Sequence, residues 1–483
     1  MAKGSIHRGF TIAGGIVLGL VLLVIVLLVV LVLMGIPRNA AGMAAKGICS
    51  AAFVAGRSPL KLMADEVLPA SPVLNAIGIS IDQAGHSVTA HFAGLFERRA
   101  TLLPDRGCVL DVNAGGQRAP ESGTPLLTNP GLPWPLGQAP LPVSEWGAGV
   151  DAKALHQLVQ QAFVGAGRPD ASNARGVAIV HKGRMLVLYT APGFDRFTPL
   201  HGWSMAKTVL GMLSYKLALE NGLSFDTPVV DAFPKSREPA WVAAWRGDAR
   251  TTIKLSDLMY MRDGLASTED YDPWGSVPRM LWGQADAAAF AASAKPEALP
   301  GERWRYLSAS ANLMAAVDRA RFARDSDYWA YPARALFEPI GAHTAVMETD
   351  SAGNWVGSSY LWASVGDWAR FGQLMLSDGR WNGKRILPPG WLTMAIARST
   401  AQGEGRGYGA MVWRIGDPDE GQCKAYGLPA DTIAMSGHWG HWGQIVAMVP
   451  SRDAVIVRLG WTFRRKQFDA CAFVAAALKA LPH

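Results

Sequence analysis

Cysteine is scarce in this 483-residue sequence: Cys49, Cys108, Cys423 and Cys471 are the whole set. No two of them form a Cys-x-x-Cys pair and none stands at metal-ligand spacing from a histidine, so the usual signatures of a structural zinc site are missing. Lysine and arginine form no run with interleaved aromatics. The formal charge of +7 is spread thinly, and with no helix-turn-helix, zinc-finger or RNA-binding signature, nucleic acid is not expected as a partner. No internal repeat of solenoid length is present, which excludes a repeat architecture. No serine is framed as Gly-x-Ser-x-Gly, which argues against an ordinary α/β-hydrolase.

Charge is also missing locally, since residues 10–37 carry none and their centre is almost wholly Val, Leu and Ile. At about 1.5 Å per residue, about 24 apolar residues reach across a hydrocarbon core of about 30 Å, so this run reads as a transmembrane signal anchor over residues 10–36 behind a short tail, 1–9. A cleavable signal peptide, with a shorter apolar region, is the competing reading, and the small residues at 40–45 would permit cleavage. Lys3 and Arg8 before the run are matched by Arg38 and Lys46 after it, so charge does not orient it. The cysteines bear on orientation. Cys49 with Cys108 and Cys423 with Cys471 would make two disulfides; four buried free thiols fit the count equally well. If bridged, the body lies outside the cytoplasm. The expectation is a single-pass inner-membrane protein whose body faces the periplasm or extracytoplasmic side, with the membrane as a partner.

About half of the residues are apolar, 49%, enough for a large core and for two or three domains. Residues 47–141 read as an N-terminal extension, with short strands at 77–81, 86–92 and 99–103 between polar turns. A Pro/Gly-rich passage at 130–137 marks a linker or a draped loop. The main body, 142–483, opens with a helix at 152–163. A hairpin follows over 176–189 around Lys182-Gly183, then a helix from Ser204 to Asn221-Gly222 and another at 254–261. Residues 444–449 and 454–459 form a second hairpin, and 468–481 a last helix. Strands at both ends of the body with helices between them suggest one antiparallel sheet built from its two termini.

Chemistry concentrates in three passages. Ser204-Met205-Ala206-Lys207 opens an apolar helix, and residues three apart share a helix face, so the lysine ammonium can sit beside the serine hydroxyl. A chance copy, Ser58-Pro59-Leu60-Lys61, has no such helix behind it. Tyr306-Leu307-Ser308 follows a Pro-Gly turn and leads into a helix; Tyr306 is a candidate proton acceptor. His441-Trp442-Gly443-Gln444 runs directly into a strand, where glycine lets a substrate approach the backbone and the Gln444 N–H can serve an oxyanion. Ser310-Ala311-Asn312 is an alternative second motif. His438 and His441 could suggest a metal, but no third ligand accompanies them, and no metal or cofactor is expected.

In this order, Ser204-x-x-Lys207, Tyr306-x-Ser308 and His441-x-Gly443 resemble the serine β-lactamase and penicillin-binding superfamily. More narrowly, they are similar to the class C-type hydrolase and esterase branch that includes 6-aminohexanoate-dimer hydrolase. Passages 253–259, 357–359 and 428–432 are similar to that branch as well. The resemblance covers 152 to the C-terminus and implies an α+β β-lactamase/DD-peptidase-like fold, an antiparallel sheet flanked by helices plus a helical subdomain, here preceded by the transmembrane helix. It implies Ser204 as nucleophile, Lys207 lowering its pKa, and Tyr306 shuttling the proton. The N–H groups of Ser204 and Gln444 would form the oxyanion hole, with His441, Trp442, Gly443 and Ser308 binding substrate.

Two departures refine the expectation. No Lys-Thr-Gly or Lys-Ser-Gly is present, and at neutral pH His441 replaces that cationic grip weakly. Ser308 stands where class C enzymes commonly carry Asn. The leading expectation is therefore a membrane-anchored extracytoplasmic serine hydrolase cleaving a small ester or linear amide through an acyl-enzyme on Ser204. The alternative is a penicillin-binding D,D-peptidase or β-lactamase-like enzyme. From another class, the rival is a catalytically silent, membrane-tethered scaffold of the same fold. Composition leaves the oligomeric state open.

Overall fold

The computed structural model describes residues 16–482 except 24, 27, 28, 112–130, 166, 169 and 402–406. Among the described residues no helix is long and apolar enough to cross a membrane. This corrects the transmembrane anchor over 10–36, part of which lies outside the described residues. The membrane partner and the single-pass inner-membrane location, with the body on one side of that membrane, required the anchor and fall with it. The apolar run ends at a break in the chain. Gly35 adopts a left-handed conformation (φ 74°), and a new helix, α1 (Ile36–Cys49), begins with Pro37 in its first turn and is mostly buried.

Helix α1 lies on a four-stranded antiparallel sheet, β1 (Ile77–Asp82), β2 (Ser87–Phe92), β3 (Phe96–Leu103) and β4 (Gly107–Leu110), paired in that order. Its contact face is alanine-rich (Ala40, Ala41, Ala44, Ala45), which lets the backbone come close. A Cβ at Gly42 would stand 2.6 Å from the Trp282 carbonyl, so glycine is required there. The disulfide Cys49–Cys108 joins α1 to β4, and Cys423–Cys471 clips a loop to the last helix. Sequence reading located β1, β2 and β3 and missed β4, whose four residues show no alternation because all are buried.

The second sheet has the order β10 (Ile433–Ala434), β11 (Ile445–Val449), β12 (Ala454–Gly460), β5 (Ala174–His181) and β6 (Arg184–Thr190), antiparallel throughout. It is built from both ends of the body, as the two hairpins imply. Strand β5 is buried along its whole length. Ala178 and Val180 belong to the larger core, while Val177 and Ile179 belong to a smaller one containing α2 (Ala152–Ala162) and α7 (Ala470–Lys479). A strand covered on both faces reads as a continuous apolar run rather than an alternating one.

The middle of the chain supplies helices to the larger core: α3 (Ala206–Glu220), α4 (Leu255–Met259), α5 (Ser308–Arg319) and α6 (Val365–Leu376). A small sheet, β7 (Leu200–His201), β9 (Leu361–Ala363) and β8 (Val346–Met347), stands at the entrance to α3. The passage 131–139 is a draped loop. Its carbonyls at Pro135 and Gly137 accept from the buried Arg370 guanidinium, which pairs with Asp367 at 2.9 Å.

Candidate active site

Strand β7 ends at His201, and the chain turns through Gly202 into a single 3₁₀ turn, Trp203–Met205, that opens directly into α3. The turn is tight. A Cβ at Gly202 would fall 2.0 Å from the Trp368 ring, and Trp203 adopts a positive φ of 49°, unusual for a bulky residue. The result puts the Ser204 side chain and the Lys207 side chain on one face, as the spacing implied.

Lys207 is 1% exposed and Ser204 9%. The Lys207 Nζ donates to Ser204 Oγ at 3.2 Å, to Ser308 Oγ at 3.1 Å and to the Ser358 carbonyl at 3.1 Å, so its three ammonium protons are all engaged. Ser308 is the first residue of α5 and Ser358 precedes β9; three elements therefore converge on one cation.

Tyr306 meets Lys207 with its ring, whose centroid lies 4.7 Å from Nζ. The ring also packs against Trp413 and Tyr408. Among the described residues no hydrogen bond joins its hydroxyl to Ser204 or Lys207, so the expected phenol is at the site through its face. The alternative motif does other work: Ser310 donates to Asp263 at 2.6 Å, and Asn312 accepts from the Ser358 N–H at 3.3 Å, behind the cleft. Ser58 and Lys61 are exposed in the N-terminal extension, in keeping with a chance spacing.

His441 sits in an aromatic stack, with ring centroids 4.3 Å from both Trp203 and Tyr271 and 4.6 Å from Trp442. Enclosure by these rings, with Lys207 nearby, pushes its imidazolium down to about 3, so the ring is neutral at neutral pH. His438, by contrast, is exposed, its N–H bonded to Gln422. Trp442 and Gly443 both have positive φ (57° and 82°), and a Cβ at Gly443 would meet Arg458 at 2.4 Å. Gln444 then enters β11. Its side chain is locked to the Gly460 backbone on both sides, accepting at 3.0 Å and donating at 2.6 Å. The backbone N–H groups of Ser204 and Gln444 meet no acceptor among the described residues.

Glu269 and Tyr271 escaped the sequence reading. Glu269 accepts from the Ser308 N–H at 2.5 Å and from Ser308 Oγ at 2.7 Å, and stands 3.8 Å from Lys207 Nζ. Tyr271 lies over His441 and beside Ser308; burial, and then the Glu269 carboxylate, push its hydroxyl well above the ordinary range. Both come from the loop after Gly264. Asp270 staples that loop, accepting from the Ser276 N–H at 3.1 Å and from the Thr268 hydroxyl. Acidic residues at 269, 270 and 272 mark the loop as charged, but which one turns inward is decided by packing.

A family model described as Beta-lactamase matches residues 152–479. The chain belongs to the beta-lactamase family. The beta-lactamase region thus takes in α2 to α7 and every residue of the cleft described above, and leaves the α1–β4 unit outside. Three solved structures are similar to the chain. A Bacillus anthracis protein assigned as a 6-aminohexanoate-dimer hydrolase has 20% identity and a TM-score of 0.50, over 65% of this chain and 81% of that one. A Bacteroides dorei protein assigned as a beta-lactamase has 16% identity and a TM-score of 0.52, over 68% and 98%. EstCE1, a hydrolase with promiscuous acyltransferase activity, has 15% identity and a TM-score of 0.51, over 68% and 98%. At these identities the likeness is one of fold. No curated protein matches the chain.

Proposed function

We propose that this chain is a beta-lactamase-like serine acyl hydrolase working through an acyl-enzyme on Ser204. The observation that carries the reading is the buried Lys207 ammonium hydrogen-bonded to Ser204 Oγ at 3.2 Å, a nucleophile and its proton partner held out of water. Ser204 attacks the acyl carbon while Lys207, once it has given up one of its own protons, receives the serine's. Tyr306 holds Lys207 against its ring, and Lys207 hands the proton on to the leaving group. The N–H groups of Ser204 and Gln444 receive the oxyanion; two such donors stabilise developing charge by roughly 3 kcal/mol each. Ser308, Trp442 and Gly443 shape the cleft around the acyl group.

His441 occupies the position of the missing Lys-Thr-Gly lysine and is neutral there, so the site offers no cation to a substrate carboxylate at that point. This supports an uncharged acyl group and a place nearer the class C-type hydrolase and esterase branch than the carboxylate-gripping enzymes. Membrane anchoring is no part of the reading. Hydrolysis of p-nitrophenyl acetate and of a chromogenic cephalosporin by the full chain and by Ser204→Ala tests it. Turnover of either reagent that vanishes in Ser204→Ala is expected; activity undiminished by that substitution overturns the assignment.

A further inference from the structure

Lys207 poses a difficulty that the serine-lysine pair does not resolve. An ammonium has no lone pair, so Lys207 can take the Ser204 proton only after giving up one of its own. Two of its three acceptors lead nowhere: Ser204 is the nucleophile, and the Ser358 carbonyl cannot carry a proton onward. The third is different. Ser308 Oγ accepts from Lys207 at 3.1 Å and donates at 2.7 Å to Glu269 Oε1, whose second oxygen is fixed by the Ser308 N–H at 2.5 Å. Among the described residues Tyr306 offers no equivalent path, since it meets Lys207 with its ring face.

We infer that Glu269 is the proton store of this site, taking the Lys207 proton through Ser308 and thereby converting Lys207 into the base that activates Ser204. This rests on the acyl-enzyme reading above. In the first step the Lys207 N–H bond breaks toward Ser308 Oγ as the Ser308 O–H bond breaks toward Glu269; the ion pair becomes an amine and a carboxylic acid. In the second, the amine takes the Ser204 proton as Oγ bonds to the acyl carbon and the carbonyl electron pair moves to oxygen. Collapse breaks the bond to the leaving group, which takes the proton from Lys207. Water then repeats the sequence on the acyl-enzyme, giving its proton to Lys207, which returns it to Ser204 Oγ as the acid departs. The proton on Glu269 stays in place throughout, and the sum is ester plus water to acid plus alcohol.

Glu269 acts through Ser308 and Lys207 and is therefore a positioning residue for the proton. The loop is built to hold it. Besides the Asp270 bonds, Arg305 donates to the Ser267 carbonyl at 2.9 Å, and a Cβ at Gly275 would meet Asp270 Oδ1 at 1.5 Å, so glycine alone permits the staple. The titratable groups facing Glu269 are Lys207, Tyr271 and Tyr408, with Tyr306 and His441 facing Lys207.

Stopped-flow release of p-nitrophenol from p-nitrophenyl acetate, followed from about pH 6.5 to about pH 8.5, reads the acylation step in the full chain. The wild-type rate is expected to be level across this range. In Glu269→Gln the amine forms only by loss of a proton to solvent, so acylation should be at least about 100-fold slower near pH 7 and climb roughly tenfold per pH unit. Ser308→Ala should behave in the same way, and the double variant should be no slower than either single one. Glu269→Asp should recover part of the rate, and Asp272→Asn, exposed on the same loop, none of the defect. A loss smaller than about threefold, or one independent of pH, overturns the relay while leaving the acyl-enzyme intact. Absence of any burst in the wild type, with no Ser204 adduct, overturns the acyl-enzyme reading and the relay with it.

Discussion

The pairing of Ser204 with Lys207 gains its force from burial. An exposed lysine three residues from a serine is ordinary surface, whereas here the ammonium is 1% exposed and meets three acceptors and a tyrosine ring. Lys207→Met, which keeps most of the stem volume, is expected to lower acylation by about 100-fold or more with near-wild-type far-ultraviolet circular dichroism; a variant within about threefold of wild type would remove Lys207 from the chemistry. Asp318 gives a second residue-scale outcome. It lies in the core on α5, accepting from Ser214 Oγ at 2.5 Å, and burial raises its carboxyl to about 7. Because the folded state then binds a proton that the unfolded chain releases near pH 4, stability should fall as pH rises from about 4 to about 7 and level off above. Asp318→Asn keeps an acceptor for Ser214 and should flatten that slope. Thermal unfolding from pH 4 to pH 8 checks it: the variant should melt above wild type at pH 8, and a variant with the wild-type slope would assign the pH dependence elsewhere.

At the scale of elements, the hairpins β5–β6 and β11–β12, the α3 helix and the terminal α7 were legible, because turn residues and continuous apolar runs mark them over five or more residues. The short β7, β8 and β9 were not; two or three residues hold no period, and their pairing is set by distant segments. The same limit hid Glu269. A loop's inward side chain depends on its anchors, and Asp270, Ser276 and Arg305 are scattered along the sequence. The turn into α3 was legible as a motif but not as a constraint. Gly202→Ala forces a methyl against Trp368 and should destabilise the fold by about 1–3 kcal/mol, read as a lowered midpoint in urea. A wild-type midpoint would show that the turn relaxes freely.

For the whole molecule, the apolar run before α1 was read as a span from composition alone, whereas no described helix is long and apolar enough to cross a membrane; the run ends at Gly35, and the helix that follows, α1, packs on the β1–β4 sheet. The α1–β4 unit, outside the family match, is fastened to the beta-lactamase body at Glu348. That buried carboxylate accepts from Ser50 Oγ at 2.8 Å, the Cys108 N–H at 2.7 Å and Trp362 Nε1 at 3.2 Å, and lies 3.4 Å from Lys46. The Cys49–Cys108 disulfide, closing 59 residues, holds these donors together and should contribute about 4 kcal/mol. Trp362 in turn stacks on His201, and His201 on Trp203 beside the nucleophile, at centroid distances of 4.6 and 4.1 Å. Cys49→Ala with Cys108→Ala should therefore lower the urea midpoint and slow acylation together; lost stability with unchanged acylation would separate the extension from the site. The central claim, an acyl-enzyme on Ser204, is tested most directly by mass spectrometry of the full chain after reaction with a fluorophosphonate and with a β-lactam probe. A single adduct mapping to Ser204 and absent from Ser204→Ala is the expected result, and an adduct on any other serine, or none with either reagent, would contradict it.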